Sequence, residues 1–401
     1  MTDTASAARA LSGIRILDLS RVLAGPWATQ MLGDLGAEII KVEQPGKGDD
    51  TRGWGPPWHG EGEERLSGYY LSCNRNKKSV SIDMSKPEGQ ALIRQMAAQS
   101  DVVVENFKQG GLAKYGLDYG SLSAINPRLI YCSITGFGQS GPRAAQPGYD
   151  FMIQGMSGFM SVTGDPSTEP QRAGVAIADV MTGLHAVIAI LAALNQRHES
   201  GRGQYIELAL FDVAVSVLAN QALNYLVSGE VPVQMGNAHP NVIPYQAFAT
   251  LDGHLILAVG NDGQFARFVT LTDLPEWGSD PRFVTNAARL ANRPVLIPQV
   301  ARIMAGRTTA EWTEILTANG IPHGPINQID QALADPQALH RGLVTSAGDR
   351  PAIASPLRLS DSPPPPGSAP PLLGADTAAV LAALCGVDAD ALAELRATAV
   401  I

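Results

Sequence analysis

The sequence predicts an α/β protein in which a doubly wound, Rossmann-like large domain carries a smaller α+β domain. The prediction depends on a compact β-α-β unit near the start of the chain, on strands and helices that keep alternating after it, and on a change of composition after Gly229. Alternation of this kind is typical of a parallel sheet with helices on both faces. We expect the large domain at residues 1–229, the small domain at 230–332, and a C-terminal segment at 333–401 that returns to the large domain.

The first β-α-β unit is the clearest local pattern. Residues 14–19 form a short apolar run that predicts a buried strand, and residues 38–43 (EIIKVE) predict a second strand. Residues 26–35 between them predict a helix with Pro26 at its first position and Gly36 at its C-terminal cap. This order favours parallel pairing of the two strands.

The alternation continues to the end of the expected large domain. Further strands are predicted at 79–82, 102–105, 129–134 and 204–210. Helical patterns cover 87–99, 178–199 and 212–227. The last two helices are rich in Ala, Val and Leu, which indicates burial in a core.

The smaller domain begins with a stretch rich in Pro, Asn and Gly, residues 231–246. After it the pattern predicts a strand at 254–259 and helices at 263–271, 294–305 and 309–318. The Pro-rich residues 363–371 predict an extended surface arm, followed by short helices at 376–384 and 389–396. Residues 1–11 are rich in Ala and Ser and are expected to be frayed.

Composition excludes several classes of protein. Lys and Arg number 29 against 38 Asp and Glu, a net charge of −9, so no basic stripe predicts nucleic-acid binding. The longest apolar stretch, 186–194, is much shorter than the roughly 20 residues that cross a bilayer, and no signal-peptide pattern is present. The dispersed Cys73, Cys132 and Cys385 and the seven scattered His residues predict neither disulfides nor a metal site. We expect a cytoplasmic protein without membrane association.

A glycine motif follows one of the predicted strands. Residues 136–141 (GFGQSG) match the GxGxxG pattern of dinucleotide-binding folds. A dinucleotide site needs a helix to begin there, whereas Pro142 and a second Pro-Gly pair at 147–148 predict an irregular turn. We therefore expect no nicotinamide cofactor, although backbone N–H groups of such a turn could hold part of a substrate.

Asp179 is the most informative carboxylate. It lies in the segment GVAIADVMTG (174–183), where an apolar stretch enters the long helix. One interpretation is an N-cap aspartate, a structural role. The other is a nucleophile that the helix start keeps ionised, with Ala178 and Gly183 leaving room for a bulky electrophile. The residues alone leave both interpretations open.

Several motifs together resemble the family III CoA transferases, the formyl-CoA transferase-like group, from Leu11 to the C-terminus. They are LDLSRVLAGPWATQMLGDLGAEIIKVEQPGKGD (17–49), NRNKKSVSIDM (74–84), DVVVENFKQGGLAKYGL (101–117), ITGFGQSGP (134–142), ADVMTG (178–183), GIPHGPI (320–326) and PPLLG (370–374). The resemblance implies that the Asp179 carboxylate attacks an acyl-CoA thioester and forms an anhydride and then an aspartyl-CoA thioester. It also implies a homodimer of interlinked chains, and coenzyme A as substrate and product rather than as a tightly bound cofactor.

The resemblance carries CoA contacts over by position. The matching residues are Leu23, Ala24, Gln44, Ile82, Asp83, Met84, Asn106, Phe107, Lys114 and Tyr149. Two of them differ from formyl-CoA transferase, because Gln44 and Lys114 each stand where that enzyme has arginine. Lys114 keeps the charge but loses the bidentate fork of a guanidinium.

One position separates two branches of this family. The α-methylacyl-CoA racemases have a Gly-His-Asp sequence where this chain has Gly148-Tyr149-Asp150. Tyrosine, with an ordinary pKa of about 10, is a poor base near neutral pH, so Tyr149 favours transfer over racemisation. A racemase and a CoA-binding protein without turnover remain the alternatives.

The predicted substrate loop, residues 236–246, resembles the succinate–hydroxymethylglutarate (glutarate) CoA transferases of the family. Those relatives move CoA between C4–C6 dicarboxylates, which implies succinyl-CoA as donor and a dicarboxylate such as glutarate as acceptor. A second substrate carboxylate would need a cationic partner. Arg75, Arg172 and His239 are the candidates, and a surface ion pair is the alternative role of each arginine.

Overall fold

The structure is a computed structural model that describes residues 9–365 and 367–401. The expected frayed start therefore lies mostly outside the described residues. Contacts divide the chain into two compact units. The larger contains the described part of Met1–Phe159 together with Ala173–Ala222 and Pro336–Ile401, and the smaller contains Met160–Arg172 and Leu223–Asp335. The smaller unit therefore includes residues 160–172, 223–229 and 333–335, which the sequence predicts to lie outside the small domain.

The regular elements cover most of both units. The strands are β1 (Arg15–Asp18), β2 (Glu38–Glu43), β3 (Trp58–His59), β4 (Leu66–Ser67), β5 (Lys77–Ser81), β6 (Val102–Glu105), β7 (Ile130–Thr135), β8 (Tyr205–Ala209), β9 (Tyr245–Ala249), β10 (His254–Ala258), β11 (His323–Pro325), β12 (Val344–Ala347) and β13 (Arg350–Ile353). The helices of the first half are α1 (Ala24–Asp34), α2 (Gly68–Cys73), α3 (Pro87–Ala98), α4 (Tyr119–Ile125), α5 (Asp150–Met156), α6 (Ile177–Ser200), α7 (Leu210–Ser216) and α8 (Ala219–Ser228). The remaining helices are α9 (Asp262–Thr270), α10 (Asn286–Ala291), α11 (Arg293–Met304), α12 (Thr309–Ala318), α13 (Ile329–Ala334), α14 (Pro336–His340), α15 (Thr377–Cys385) and α16 (Ala389–Ala397).

A six-stranded sheet forms the centre of the larger unit. Its strand order is β5-β2-β1-β6-β7-β8, and every neighbouring pair is parallel. Successive residues of a strand point to opposite faces. Accordingly Ile16 packs in a core with α1 and α6, whereas Leu17 packs in a second core with α3 and α15. This confirms the parallel α/β fold with helices on both faces, and it places a reversal of strand order between β1 and β6.

The smaller unit has its own core. The antiparallel sheet β11-β10-β9 packs with α9, α11 and α12, and the core includes Phe248, Leu255, Phe265 and Val300. Trp312 is buried there, and its indole N–H donates to the Met304 carbonyl at 2.8 Å. A separate apolar cluster of this kind is what makes the unit compact by itself.

Two helices of the structure differ in their bounds from the sequence-based prediction. The helix predicted at 212–227 is two helices, α7 and α8, because the chain turns at Ala219, which has φ +47°. Helix α1 begins at Ala24 rather than Pro26, so Pro26 is its third residue. Gly36 follows the helix with φ +104°, the conformation expected of a C-terminal glycine.

Helix α6 is long and apolar enough to cross a membrane. One side of it, however, contributes Ala186, Ile190 and Leu194 to the core beneath the sheet. A single helix of this kind is weak evidence for a membrane span, since the core helix of a globular domain has the same composition.

The described part of the Pro-rich arm is attached to the sheet edge. Asn76 and Ser368 exchange backbone and side-chain hydrogen bonds, with Ser368 N–H donating to Asn76 Oδ1 at 2.8 Å. Farther along, the Pro371 carbonyl accepts from Arg52 at 3.1 Å. Residues 363–371 therefore include anchored positions and do not form a wholly free arm; Pro366 lies outside the described residues.

Candidate active site

Two adjoining cavities lie at the carboxyl ends of the parallel strands in the larger unit. The first, of about 400 Å³, is lined by Asp179 and by residues that follow β1, β6 and β7. The second, of about 330 Å³, lies beyond β2 and β5. Arg21, Phe107 and Lys108 line both. The reversal between β1 and β6 is where open parallel sheets characteristically bind ligands.

Asp179 lies in the first turn of α6, on the wall of the first cavity. The N-cap of the helix is Ala176, so the structural alternative of an N-cap role for Asp179 is wrong. Instead, the Asp150 side chain accepts hydrogen bonds from N–H groups at the start of this helix. Its Oδ1 accepts from the N–H groups of Ala178 at 2.8 Å and Asp179 at 3.4 Å, and its Oδ2 accepts from Gln154 at 2.7 Å.

The charge of Asp179 is not favoured by its surroundings. Burial, and then the nearby Asp150 carboxylate, raise the pKa of Asp179 from 3.8 to about 7. Desolvation and the like charge of Asp150 therefore act against the stabilisation of the ionised form that the helix start was expected to provide. Perturbed carboxyl groups that line clefts are typical of functional sites.

Tyr69 is a neighbour that sequence analysis missed. Burial, and then the charge of Asp179, raise its pKa to about 12. Its ring also contacts Trp54 edge to face, with 5.0 Å between the centroids. The raised pKa of the Tyr69 phenol means that it is neutral near neutral pH. No local pattern distinguished Tyr69 from an ordinary packed aromatic.

A close crossing of two glycines brings the Tyr149 segment to the first cavity. A Cβ on Gly136 would lie 2.5 Å from the Cα of Gly148, so neither position has room for a side chain. As predicted, no helix begins in residues 136–141. Two amide groups of that turn are already used: Gly138 N–H donates to Thr135 Oγ1 at 2.9 Å, and Gln139 N–H donates to Glu207 at 2.6 Å.

The residues carried over as CoA contacts all line one of the two cavities. Leu23, Ala24, Asn106, Phe107 and Tyr149 line the first together with Asp179. Gln44, Ile82, Asp83, Met84, Phe107 and Lys114 line the second.

The amide of Asn106 is occupied by the loop before α1. Its Oδ1 accepts from the Arg21 N–H at 2.8 Å, and its Nδ2 donates to the Arg21 carbonyl at 2.7 Å. Asn106 therefore orders this wall. Arg21 and Lys108 are cations of the shared wall that sequence analysis left out of the site. Their position just after β1 and β6 was the signal that could have found them.

Of the three predicted substrate residues, Arg75 belongs to the same unit as Asp179. Arg75 makes a bidentate ion pair with Asp34, at 2.8 and 2.5 Å, and lines a different cavity. Its guanidinium is thus already paired, which does not support a role in binding substrate. Arg172 and His239 belong to the smaller unit. There His239 Nδ1 accepts from the N–H groups of Asn241 and Val242, at 3.0 and 3.1 Å.

Metal-ligating side chains do not converge in the described part of the chain, where no group of three or more His, Cys, Asp or Glu residues could hold an ion.

Comparisons with known proteins identify the family. The family model described as CoA-transferase family III matches residues 11–377. The chain is 50% identical to the succinate–glutarate CoA-transferase of Agrobacterium fabrum, with 96% of this chain and 98% of the relative covered. It is 42% identical to the human succinyl-CoA:glutarate CoA-transferase, with 98% and 90% covered. The crystal structure of a CAIB/BAIF family protein from Brucella suis matches with a TM-score of 0.85 and 50% identity, covering 94% of this chain and 100% of that one.

The family resemblance inferred from the motifs is confirmed by these matches, since they extend over nearly the whole chain and over nearly the whole of each relative. The protein is an enzyme of the CoA-transferase family III.

Proposed function

We propose that this enzyme transfers CoA from succinyl-CoA to glutarate or a similar C4–C6 dicarboxylate. The observation that carries the proposal is the Asp179 carboxylate on the wall of one cavity, next to a second cavity lined by the residues that match CoA contacts. The printed names of the two curated relatives support the choice of succinyl-CoA and glutarate. The same substrates were expected from the 236–246 loop.

The proposed chemistry balances in four steps. Asp179 in its ionised form attacks the thioester carbonyl, the C–S bond breaks, and a mixed anhydride and CoA thiolate result. The thiolate attacks the aspartyl carbonyl of the anhydride, giving an aspartyl-CoA thioester and free succinate. The acceptor carboxylate then attacks this thioester, releases the thiolate and forms a second anhydride. Attack of the thiolate on the acceptor's acyl carbon gives the new acyl-CoA and restores Asp179.

The surroundings of Asp179 suit an anhydride, which must be kept from water. Leu23 and Ala24 are nearly fully buried beside it, and the carboxyl is itself desolvated enough to have a raised pKa. Exclusion of water protects such reactive intermediates and strengthens interactions with developing charge. The cations Lys108 and Lys114 on the cavity walls suit the phosphates of CoA, whereas the Arg21 guanidinium is already paired with Asp50 at 2.9 Å.

An exchange reaction tests the proposal. Purified enzyme is mixed with succinyl-CoA and labelled glutarate, and we expect labelled glutaryl-CoA and succinate in equal amounts. Running the reaction in D₂O with a branched acyl-CoA tests the racemase alternative, which requires deuterium at the α-carbon. Tight CoA binding without either reaction would identify a CoA-binding protein and contradict the proposal.

Lys114→Ala is expected to weaken CoA binding more than it slows the chemical step. Lys114 lines the second cavity, and its Nζ lies 4.5 Å from the centre of the Tyr115 ring. Loss of one charge-assisted contact would raise the dissociation constant for CoA roughly tenfold, with a smaller change in kcat. Calorimetric titration with CoA measures the effect, with Lys78→Ala as control because Lys78 is paired with Glu38 and lines neither cavity. Equal CoA affinities for the wild type and Lys114→Ala would remove Lys114 from the site.

The rate of transfer should rise with pH and level off above about 7. The nucleophile must be ionised, and burial together with Asp150 raises the pKa of Asp179 to about 7. Asp150→Asn removes the like charge but keeps an oxygen that can accept from Ala178, so the midpoint of the profile should move to lower pH. The pH dependence of kcat/KM measures this midpoint in the free enzyme. A midpoint unchanged by the substitution would mean that Asp150 does not set the pKa of the nucleophile.

We propose that the enzyme acts as the interlinked homodimer implied by the family resemblance, in the cytoplasm. Exposed apolar side chains on two helices of the larger unit support the proposal that a partner chain covers this surface in the dimer. They are Phe151 and Met152 on α5 and Ile188 on α6, which are 57%, 43% and 64% exposed. Light scattering on the purified enzyme should give twice the 42.2 kDa of one chain. A mass of one chain would contradict the dimer.

A further inference from the structure

The loop that enters α1 contains a residue in a rarely adopted conformation. Val22 has φ +71°, in the left-handed region that β-branched residues avoid because Cβ crowds the backbone. The next two residues, Leu23 and Ala24, line the cavity that contains Asp179. A backbone conformation of this kind persists only where surrounding contacts impose it. We call residues 20–23 the Val22 loop.

A fully buried ion pair holds this loop from the sheet side. Lys41 Nζ donates to the Ser20 carbonyl at 2.9 Å and to Asp49 Oδ2 at 2.8 Å. Both oxygens of Asp49 lie 3.3 Å from the Val22 nitrogen and accept its N–H. Neither side chain of the pair has any exposed surface. The pair therefore contacts the backbone on both sides of Arg21.

A second buried ion pair, between Asp18 and Lys77, contacts the backbone at Ser20 and at Pro26. Asp18 Oδ1 accepts from the Ser20 N–H at 3.0 Å, and its Oδ2 accepts from Lys77 Nζ at 3.0 Å. Lys77 also donates to the Pro26 carbonyl at 3.0 Å, within the first turn of α1. Both of these side chains are also fully buried. The chain from Ser20 to Pro26 is thus fixed to the sheet by four charged groups.

Such an arrangement is an expensive way to gain stability. Removing charges from water opposes folding, and well-packed apolar side chains of similar volume often stabilise a core equally well. Here the charges satisfy N–H and carbonyl groups of a single loop, which apolar side chains cannot do. The geometry therefore indicates a role in fixing the conformation of the loop.

We propose that the Lys41–Asp49 pair is a positioning device, which keeps Val22 in its left-handed conformation and so holds Leu23 and Ala24 in place on the wall of the Asp179 cavity during acyl transfer. This inference rests on the proposed function of Asp179 as nucleophile. Neither Lys41 nor Asp49 is assigned contact with the reacting atoms. They act through the backbone of the Val22 loop.

The double substitution Lys41→Met with Asp49→Leu tests the proposal, because it removes both charges without leaving one unpaired. We expect the rate of Asp179 adduct formation at saturating succinyl-CoA to fall roughly tenfold or more, since small displacements of a reacting site have effects of this size. Asp49→Asn, which keeps an amide oxygen near Val22, provides a second variant if the double variant does not fold. Asp101→Asn is the matched control, because it weakens a different ion pair, with Arg197, at 2.8 Å.

Rescue at position 22 separates positioning from stability. Adding Val22→Gly to the slowed variant should recover most of the lost rate, because glycine adopts positive φ without a steric penalty. Adding Val22→Ala should not, because alanine keeps the Cβ. Full adduct rates in both charge variants, or equal rescue by Gly and Ala, would overturn the inference. Absence of an adduct in the wild-type enzyme would contradict the proposed function itself, and this inference with it.

Discussion

Asp179→Asn should abolish CoA transfer and leave CoA binding nearly unchanged. The substitution replaces the carboxylate that attacks the thioester in the proposed mechanism with a carboxamide, which is not nucleophilic. Loss of a covalent nucleophile typically lowers kcat by a factor of roughly 10³ or more. The residues that match CoA contacts lie along both cavities and are untouched. Steady-state exchange and calorimetric CoA titration measure the two effects. Asp150→Asn is the control, since it alters the neighbouring carboxylate and leaves the nucleophile in place.

The Asp179→Asn variant should be more stable than the wild type at pH 8. The folded-state pKa of Asp179 is raised from 3.8 to about 7, so the folded protein binds more protons than the unfolded chain in that interval, and stability falls as pH rises through it. A shift of this size corresponds to at most about 4 kcal/mol, and we expect about half because the carboxyl borders an open cavity. Thermal unfolding at pH 8 and pH 4 tests this. If the stability difference between Asp179→Asn and the wild type were no larger at pH 8 than at pH 4, the raised pKa of Asp179 would be contradicted.

Lys41→Met should be the most destabilising single substitution proposed for this enzyme. Burial alone would lower the pKa of Lys41, but Asp49 and Asp18 raise it above its ordinary value, so the ammonium is charged at all physiological pH. Its loss leaves buried carboxylates without their partner, which typically lowers the free energy of unfolding by about 3–5 kcal/mol. Chemical denaturation of the full chain measures the loss.

The double variant Lys41→Met with Asp49→Leu is the control for this prediction. It removes the uncompensated charge of Asp49, so a large part of the lost stability should return. The pair Arg282 and Asp280 offers a comparison, because both side chains lie near the surface and Arg282→Met should change stability far less than Lys41→Met. A Lys41→Met variant as stable as Arg282→Met would mean that the buried network adds little to stability.

Continuous apolar runs explain why much of the large unit could be predicted. Strands β2 and β6 begin and end where the sequence indicates. The sequence VVVE of β6 is nearly unbroken in its apolar residues, as is typical of parallel strands that are covered on both faces. Asp179 could be singled out because its small neighbours and the helix start are local features. The break between α7 and α8 could not, since neither Gly nor Pro marks it and the positive φ falls on Ala219.

The missed parts of the candidate site depend on contacts distant in sequence. Asp150 caps a helix that begins 27 residues later, and no local pattern predicts such a contact. Lys41 occupies a strand position that alternation would allow to be exposed, yet the sheet buries it completely. Arg75 was a reasonable candidate from its motif, but its partner Asp34 lies 41 residues earlier and becomes adjacent only in the fold.

Trapping of the covalent intermediate tests the central claim most directly. The enzyme is mixed with succinyl-CoA alone, treated with hydroxylamine in one sample and borohydride in another, digested, and analysed by mass spectrometry. We predict a hydroxamate and a reduced side chain at Asp179, both absent from Asp179→Asn. Exchange of CoA between succinyl-CoA and glutarate with no modification at Asp179, or with modification at another residue, would contradict the account.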